Sequence, residues 1–310
     1  MMTPGTTFQD ESGATAQLHG IGLQRFGDRF WAWGEDKRSG STFSAVAAYS
    51  SDDLVTWRFE GDALRAEGTG DLAPDRIVER PKVMQRPDGT FVMLLHLDRV
   101  AQLEDGSYHY VDARVGYALS ANPQGPFTFV HGERPLGFES RDIGVYQEDG
   151  VGYLLSEDRI HGTAIYRLAE DYLSVEERVA LIVDDGPPDP GYESPTLIKH
   201  EGTYYLFASQ LTGWATNDNI YATAPSLAGP WSPWQHFAPV GTSTWDSQVS
   251  VVLPVVGTDG ITRYLYVGDR STPQDLANSP AVWLPLSIEN GVANLPWRES
   301  WDPVAELAIG

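Results

Sequence analysis

The sequence predicts an all-β fold, a five-bladed β-propeller with four antiparallel strands per blade. Three observations predict it. Turn formers and aromatics are abundant, with 31 Gly, 21 Pro, 10 Trp, 14 Tyr and 11 Phe in 310 residues, the composition of short strands joined by tight turns. A unit of turn, glycine and aromatic strand recurs five times, its glycine falling at Gly27, Gly89, Gly150, Gly202 and Gly260, 52 to 62 residues apart. Downstream of most units lies a run of small or β-branched residues, a polar turn and one more strand-like run. Four antiparallel strands repeated at such a period make propeller blades; a β-sandwich has the strands but not the period.

The elements follow in chain order. Approximate blades occupy 18–62, 76–132, 140–182, 192–238 and 246–300 of a single domain spanning 1–310. Each blade holds an apolar run (GIGLQR, PKVMQR, IGVYQE, PTLIKH, VSVVLPV) that turns at its glycine into an aromatic strand such as GDRFWAWGED or EGTYYLFASQ, which is a hairpin. Third and fourth strands come from AVAAYSSDDLVTWRFEG, VGYALSANPQGPFTFV, IYRLAEDYLSVEERV and IYATAPSLAGPWSPWQ in the first four blades. Two of these carry a Gly-Pro-aromatic corner, at Gly125-Pro126-Phe127 and Gly229-Pro230-Trp231. The fifth blade is the least regular, with outer strands expected at Ala281–Leu286 and Gly291–Trp297. Ring closure has no signature in the sequence.

The net charge is −22, from 21 Lys and Arg against 43 Asp and Glu, and cysteine is absent. So acidic a chain repels nucleic-acid phosphates and anionic lipid, which excludes nucleic-acid and membrane-surface partners and leaves neutral or cationic small ones. Without Cys there is no disulfide, thiolate nucleophile, iron–sulfur cluster or Cys-ligated zinc. No apolar run reaches the roughly 20 residues of a membrane span. The first residues, MMTPGTTFQDESGATAQ, lack the basic and apolar regions of a signal peptide. The expectation is a cytoplasmic protein, or a secreted one if a leader has been removed.

In a propeller the first strand of each blade lines the central channel, and equivalent positions at one end of those strands converge on the axis. Those positions hold His19, Glu79, Asp142, Glu193 and Gln248. Glu35, ending the second strand of blade one, and the turn Thr212-Gly213-Trp214 fall at the same mouth. Three acids facing one another raise at least one pKa, the condition a general acid needs. Carboxylates and amides bind hydroxyls and an indole face covers a pyranose ring, so the mouth suits a sugar better than an anion. Taken singly, an acid before a strand is usually a solvated turn residue and a Trp is usually core; recurrence across four blades is what argues for a site. No nucleotide loop, zinc spacing or nucleophile elbow occurs.

These residues resemble glycoside hydrolase family 43, and within it the exo-β-1,3-galactanase branch. The likeness runs from about His19 to Pro254 through His19-Gly20-Ile21-Gly22, Trp33-Gly34-Glu35, Val78-Glu79-Arg80-Pro81-Lys82-Val83, Ala113-Arg114-Val115-Gly116, Ser140-Arg141-Asp142, Glu193-Ser194-Pro195, Thr212-Gly213-Trp214, Gly229-Pro230-Trp231 and Ser247-Gln248. The resemblance implies an exo-acting, inverting glycosidase releasing terminal galactose from an oligosaccharide or polysaccharide. It implies Glu193 as general acid, Asp142 tuning its pKa, and Glu35 and Glu79 binding sugar hydroxyls. Tyr110, Thr212 and Trp214 would complete the terminal-sugar subsite, with His19 and Arg141 beside it. Most of the wider family has an aspartate base at the blade-one strand entry, where this chain has Leu18-His19-Gly20. In the galactanase branch a glutamine matching Gln248 is proposed to hold the attacking water; an amide is a poor base, so either a weakly activated water suffices or another acid, Glu79, assists.

Other readings stay open at this level. The glycone could be an α-L-arabinofuranoside, a β-xyloside or a galactofuranoside. A non-catalytic sugar-binding propeller fits the missing blade-one carboxylate, and a phosphorylase would use Arg80 and Arg141. No cofactor is required; a structural calcium, known in some relatives, would have oxygen ligands only, with no ligand set assignable. Segment 99–112 and loop 182–192 are expected to form the pocket walls.

Overall fold

The computed structural model describes residues 1–183 and 190–309. It is nearly all β: five four-stranded antiparallel sheets arranged as the blades of a propeller. Blade one comprises His19–Phe26, Arg29–Glu35, Ala45–Ser51 and Arg58–Arg65. Blade two comprises Ile77–Gln85, Phe91–Asp98, Arg114–Ser120 and Thr128–Glu133, with a separate hairpin, Val100–Gln102 and Tyr108–Tyr110, rising from it. Blade three comprises Ile143–Glu148, Val151–Asp158, Gly162–Leu168 and Val175–Ile182; blade four Glu193–His200, Thr203–Ser209, Ile220–Ala224 and Gln235–His236. Blade five comprises Gln248–Val256, Thr262–Asp269, Ala281–Glu289 and Val292–Asn294. Blade one thus runs beyond 62, and the last strand of blade five stops short of Trp297. Among the described residues no helix is long and apolar enough to cross a membrane.

Second and third strands alternate toward the two neighbouring blades, which is why their aromatic and β-branched residues are buried on both faces. Trp33, Val46 and Ala48 of blade one meet Val83, Met93 and Leu95 of blade two. The first strands pack around the axis, each against its two neighbours, and blade five meets blade one there. The two chain ends clasp the same junction. Met2 bridges Trp301, Thr6 bridges Ala281 and Asp10 bridges Trp57. Phe8 and Trp57 pack on Trp283, whose carbonyl accepts from the Trp301 indole.

The entry of three first strands carries a register irregularity, between His19 and Gly22, Glu79 and Lys82, and Glu193 and Thr196. Just after each entry residue the chain takes a left-handed φ, +61° at Gly20, +53° at Arg80 and +52° at Ser194. This turns the freed amide toward the preceding blade's carboxylate. Gly20 N–H donates to Asp269 at 3.2 Å, Arg80 N–H to Glu35 at 2.9 Å and Ser194 N–H to Asp142 at 3.1 Å. A Cβ on Gly20 would lie 1.9 Å from Glu35 Oε1. Gly20→Ala is therefore expected to cost the roughly 1–2 kcal/mol of a left-handed L-residue plus a clash, read as a lowered thermal midpoint together with lost activity.

Candidate active site

Hairpin pairing sets a second residue behind each member of the entry ring. His19 pairs with Glu35, Glu79 with His96, Glu193 with Ser209 and Gln248 with Asp269; Asp142 and Glu157 are joined by Glu157 N–H to the Asp142 carbonyl. The result is a double ring of carboxylates, amide and imidazoles around a cleft of about 640 Å³. The opposite end of the channel opens into a cavity of about 720 Å³ whose lining includes a single carboxylate, Asp149. The carboxylates and imidazoles therefore gather at the first cleft.

Arg80 crosses the floor of that cleft. Its guanidinium, buried in the channel, lies 2.9 Å from Asp142 and 3.1 Å from Asp269 and donates to the Gln248 carbonyl oxygen and to Ser250. Beneath it Lys82 donates to the carbonyls of Gly20 and Ile21 at 3.0 and 2.6 Å; burial and the adjacent Arg80 cation push its pKa down to about 7.

Glu193 is the acid with the most perturbed environment. Its side chain is 12% exposed, with Oε1 accepting from Arg159 at 2.9 Å and Oε2 from the Gln248 amide at 2.9 Å. Burial, then the Glu157 and Asp142 charges, raise its pKa to about 8 against the opposing pull of Arg159 and Arg80. Glu157 is likewise raised, mainly by burial. Glu35 goes the other way. Burial would raise it, but Lys37 at 2.7 Å, His19 at 3.3 Å and Arg80 outweigh that and hold it well below the usual carboxylate range. Two carboxylates in one cleft are thus driven apart, one toward the acid form and one toward the base form.

The remaining expected residues fall as follows. Glu79 faces Tyr110 Oη at 3.4 Å, His96 at 3.5 Å and Lys37 at 3.8 Å. Tyr110 comes from the hairpin within segment 99–112, which does line the cleft with Tyr108 and His109. Arg141 lines it too, tied to Asp98 at 3.5 Å and to Glu139. Trp214 stands at the rim, half exposed, its ring 6.0 Å from that of His19. Thr212 is not among the cleft's lining residues. Its hydroxyl donates to the Ala215 carbonyl and accepts from Asn217, so it braces the turn that presents Trp214. Glu35 has three donors on its oxygens, so three of about four acceptor sites are taken, and it acts on the ring rather than chiefly on a sugar. Gln248, which the resemblance implies would hold the attacking water, lies against Glu193. Residues 184–189 of the expected wall 182–192 lie outside the described residues.

Sequence reasoning missed Glu157, Arg159, His96, Asp269 and Lys37. Glu157, His96 and Asp269 lie within the last three residues of the second hairpin strands, where Glu35 also sits; counting across each hairpin from the entry residue would have found them. Arg80 and Arg141, the two cations a phosphorylase would use, are each paired with carboxylates. The donor set does not suit calcium. The one group of three candidate ligands among the described residues, Glu79, His96 and Asp142, includes an imidazole that Asp98 and Glu79, overcoming burial, hold protonated, its pKa raised to about 10. Asp142 is already neutralised by Arg80, whereas calcium takes six to eight oxygens.

The cleft predicts a clear role for the exposed indole. Trp214→Ala should raise KM by about three- to tenfold, the loss of a stacking contact of order 1 kcal/mol, with kcat nearly kept; initial-rate kinetics would show it.

Comparison with known proteins agrees with this architecture. The profile of the family described as "Glycosyl hydrolases family 43" matches residues 36–252. A candidate exo-β-1,3-galactanase structure from Bifidobacterium bifidum s17 is 46% identical, with a TM-score of 0.88 over 97% of this chain and 98% of that one. The exo-β-1,3-galactanase of Phanerochaete chrysosporium, as a Glu-to-Gln variant with β-1,3-galactotriose, is 34% identical, TM-score 0.87, over 97% and 68%. That of Clostridium thermocellum is 33% identical, TM-score 0.85, over 96% and 65%. No curated protein sequence matches. With a propeller, an acidic sugar-sized cleft and a family match spanning most of its length, the chain belongs to glycoside hydrolase family 43 and is a glycosidase.

Proposed function

We propose that the protein is an exo-acting, inverting hydrolase that releases terminal galactose from β-1,3-galactan or galacto-oligosaccharides, with Glu193 as general acid. The observation that carries the reading is Glu193 itself, nearly buried in the cleft between Arg159 and the Gln248 amide, where burial and then the Glu157 and Asp142 charges raise its pKa to about 8, so that it can donate to a leaving glycosidic oxygen at neutral pH. Asp142 and Glu157 keep it so. Glu79, Tyr110 and Arg141 supply hydroxyl partners, and Trp214 the apolar platform. The glycone assignment is supported by the three similar galactanases, one of them holding β-1,3-galactotriose.

Gln248 braces the acid in the ligand-free cleft. Acid and water-holding groups of an inverting glycosidase stand roughly 6.5–9.5 Å apart, and the Gln248 amide is 2.9 Å from Glu193. It can hold the water only by rotating off Glu193 when the sugar enters.

A panel of p-nitrophenyl glycosides and β-1,3-galactotriose tests the reading. Galactose and galactobiose as first products, with the α-anomer appearing first by proton NMR, is the expected result. Release of the β-anomer first would overturn inversion, and preference for an arabinoside or xyloside would overturn the glycone.

A further inference from the structure

Each inner strand has a second end, and there the side chains change sign. Where the first strand of a blade runs into its hairpin turn, Arg25, Arg86 and Lys199 hold corresponding places in blades one, two and four. His19 and Arg25 stand about 20 Å apart along one extended strand, so this end of the channel is separate from the acidic cleft. All three cations line the cavity of about 720 Å³ at that end, as does Lys82, and Asp149 is the single carboxylate in the lining. In a chain of net charge −22, such a gathering of cations runs against the overall composition. We propose that this cavity binds a sugar-sized organic anion, whose carboxylate or phosphate is held by Arg25 and Arg86.

The two arginines are the groups that the fold leaves unspent. Among the described residues the Arg25 guanidinium meets the Val256 carbonyl at 3.0 Å and the Phe30 ring at 5.2 Å, with no carboxylate beside it. Arg86 meets the exposed Asp88 at 3.4 Å. The Nε of each is buried without a hydrogen-bond partner, so neither donor set is satisfied by the protein itself. A guanidinium fork matches the paired oxygens of a carboxylate or phosphate. Lys199 is paired with Glu148 at 2.6 Å, which leaves recognition of the anion to the arginines.

The cavity is too large for a bare ion. Its volume falls within the roughly 300–1,000 Å³ of small-molecule sites. Gln24 and Tyr146 also line it, and among the described residues neither side chain's polar group is engaged in a hydrogen bond. An amide and a phenol are thus free to meet the hydroxyls of the body that carries the anion.

Isothermal titration of the unmodified protein at low salt, where charge recognition is least screened, tests the site with glucuronate, glucose 6-phosphate, glucose and inorganic phosphate. The expected result is one-to-one binding of at least one sugar anion, about tenfold or more tighter than glucose or inorganic phosphate. The tighter of the two anions identifies the headgroup. Arg25→Gln combined with Arg86→Gln should weaken that binding by about tenfold or more. Binding of neither anion, glucose or inorganic phosphate binding as tightly as the sugar anions, or undiminished binding by the folded double variant overturns the proposal. If the double variant does not fold, phenylglyoxal labelling of the unmodified protein, mapped by peptide mass, decides. The bound anion should protect Arg25 and Arg86 while Arg58, its side chain 59% exposed, reacts as before; equal labelling of Arg25 and Arg86 with and without the anion overturns it.

Discussion

Glu193→Gln should lower kcat on β-1,3-galacto-oligosaccharides by roughly 10²–10⁴-fold, the contribution of a positioned general acid. The loss should shrink on aryl galactosides whose leaving group needs little protonation, and that contrast separates lost proton donation from a misplaced sugar. The pH profile follows from the same residue. As the proposed general acid Glu193 would work while protonated, so kcat/KM in the parent should fall above about pH 8, the value set by burial and by the Glu157 and Asp142 charges. The variant should lose that limb. Stability should fall in the same direction. The folded pKa of about 8 lies above the ordinary glutamate value of 4.5, so the native state binds more protons than the unfolded one between those values, and parent stability falls as pH rises from about 4.5 to 8. A glutamine has no such term. The variant's thermal midpoint should therefore gain on the parent's across that window, and a midpoint difference independent of pH would contradict the assigned environment.

How much of this is legible from sequence depends on whether the information is periodic. The five blades are, because each repeats a glycine turn between an apolar and an aromatic run, and Gly27 or Gly202 marks its hairpin without reference to anything distant. The outer strands are harder; Gln235–His236 and Val292–Asn294 are too short to show alternation. Ring closure was illegible because it rests on pairings such as Met2 with Trp301, two residues nearly a chain length apart with no local pattern. Within the site, the entry ring could be read by counting back from each glycine. The residues behind it could not be recognised by type, because Glu157 and Asp269 resemble the solvated acids that end many strands. Only their burial, 1% and 5% exposed, shows that they face the axis. Thr212 shows the reverse failure: a hydroxyl next to the right tryptophan, spent on its own turn.

Arg80→Met should be the most destabilising single change at the site. The guanidinium bridges Asp142 and Asp269 from inside the channel and fixes Gln248 and Ser250. Removing one partner from a buried ionic network leaves the other charges uncompensated, at a cost of about 3–5 kcal/mol. For 310 residues an unfolding entropy of about 2.1 cal/mol/K per residue turns this into a Tm drop on the order of 5–8 °C. Acid should narrow the deficit by neutralising the orphaned carboxylates, so the gap between variant and parent is expected to be widest at neutral pH. Lys82 offers partial relief. Arg80 is the cation that, after burial, holds the Lys82 pKa down to about 7; without it, Lys82 should stay charged and serve the same carboxylates from one layer below. Arg80→Met combined with Lys82→Met should then lose clearly more than the sum of the two single changes, the sign of coupling within one network. Arg80→Lys should not restore the parent, because a point charge cannot span two carboxylates and an amide as the planar fork does. An Arg80→Met protein as stable as the parent at neutral pH would show that the acidic ring does not depend on an internal cation.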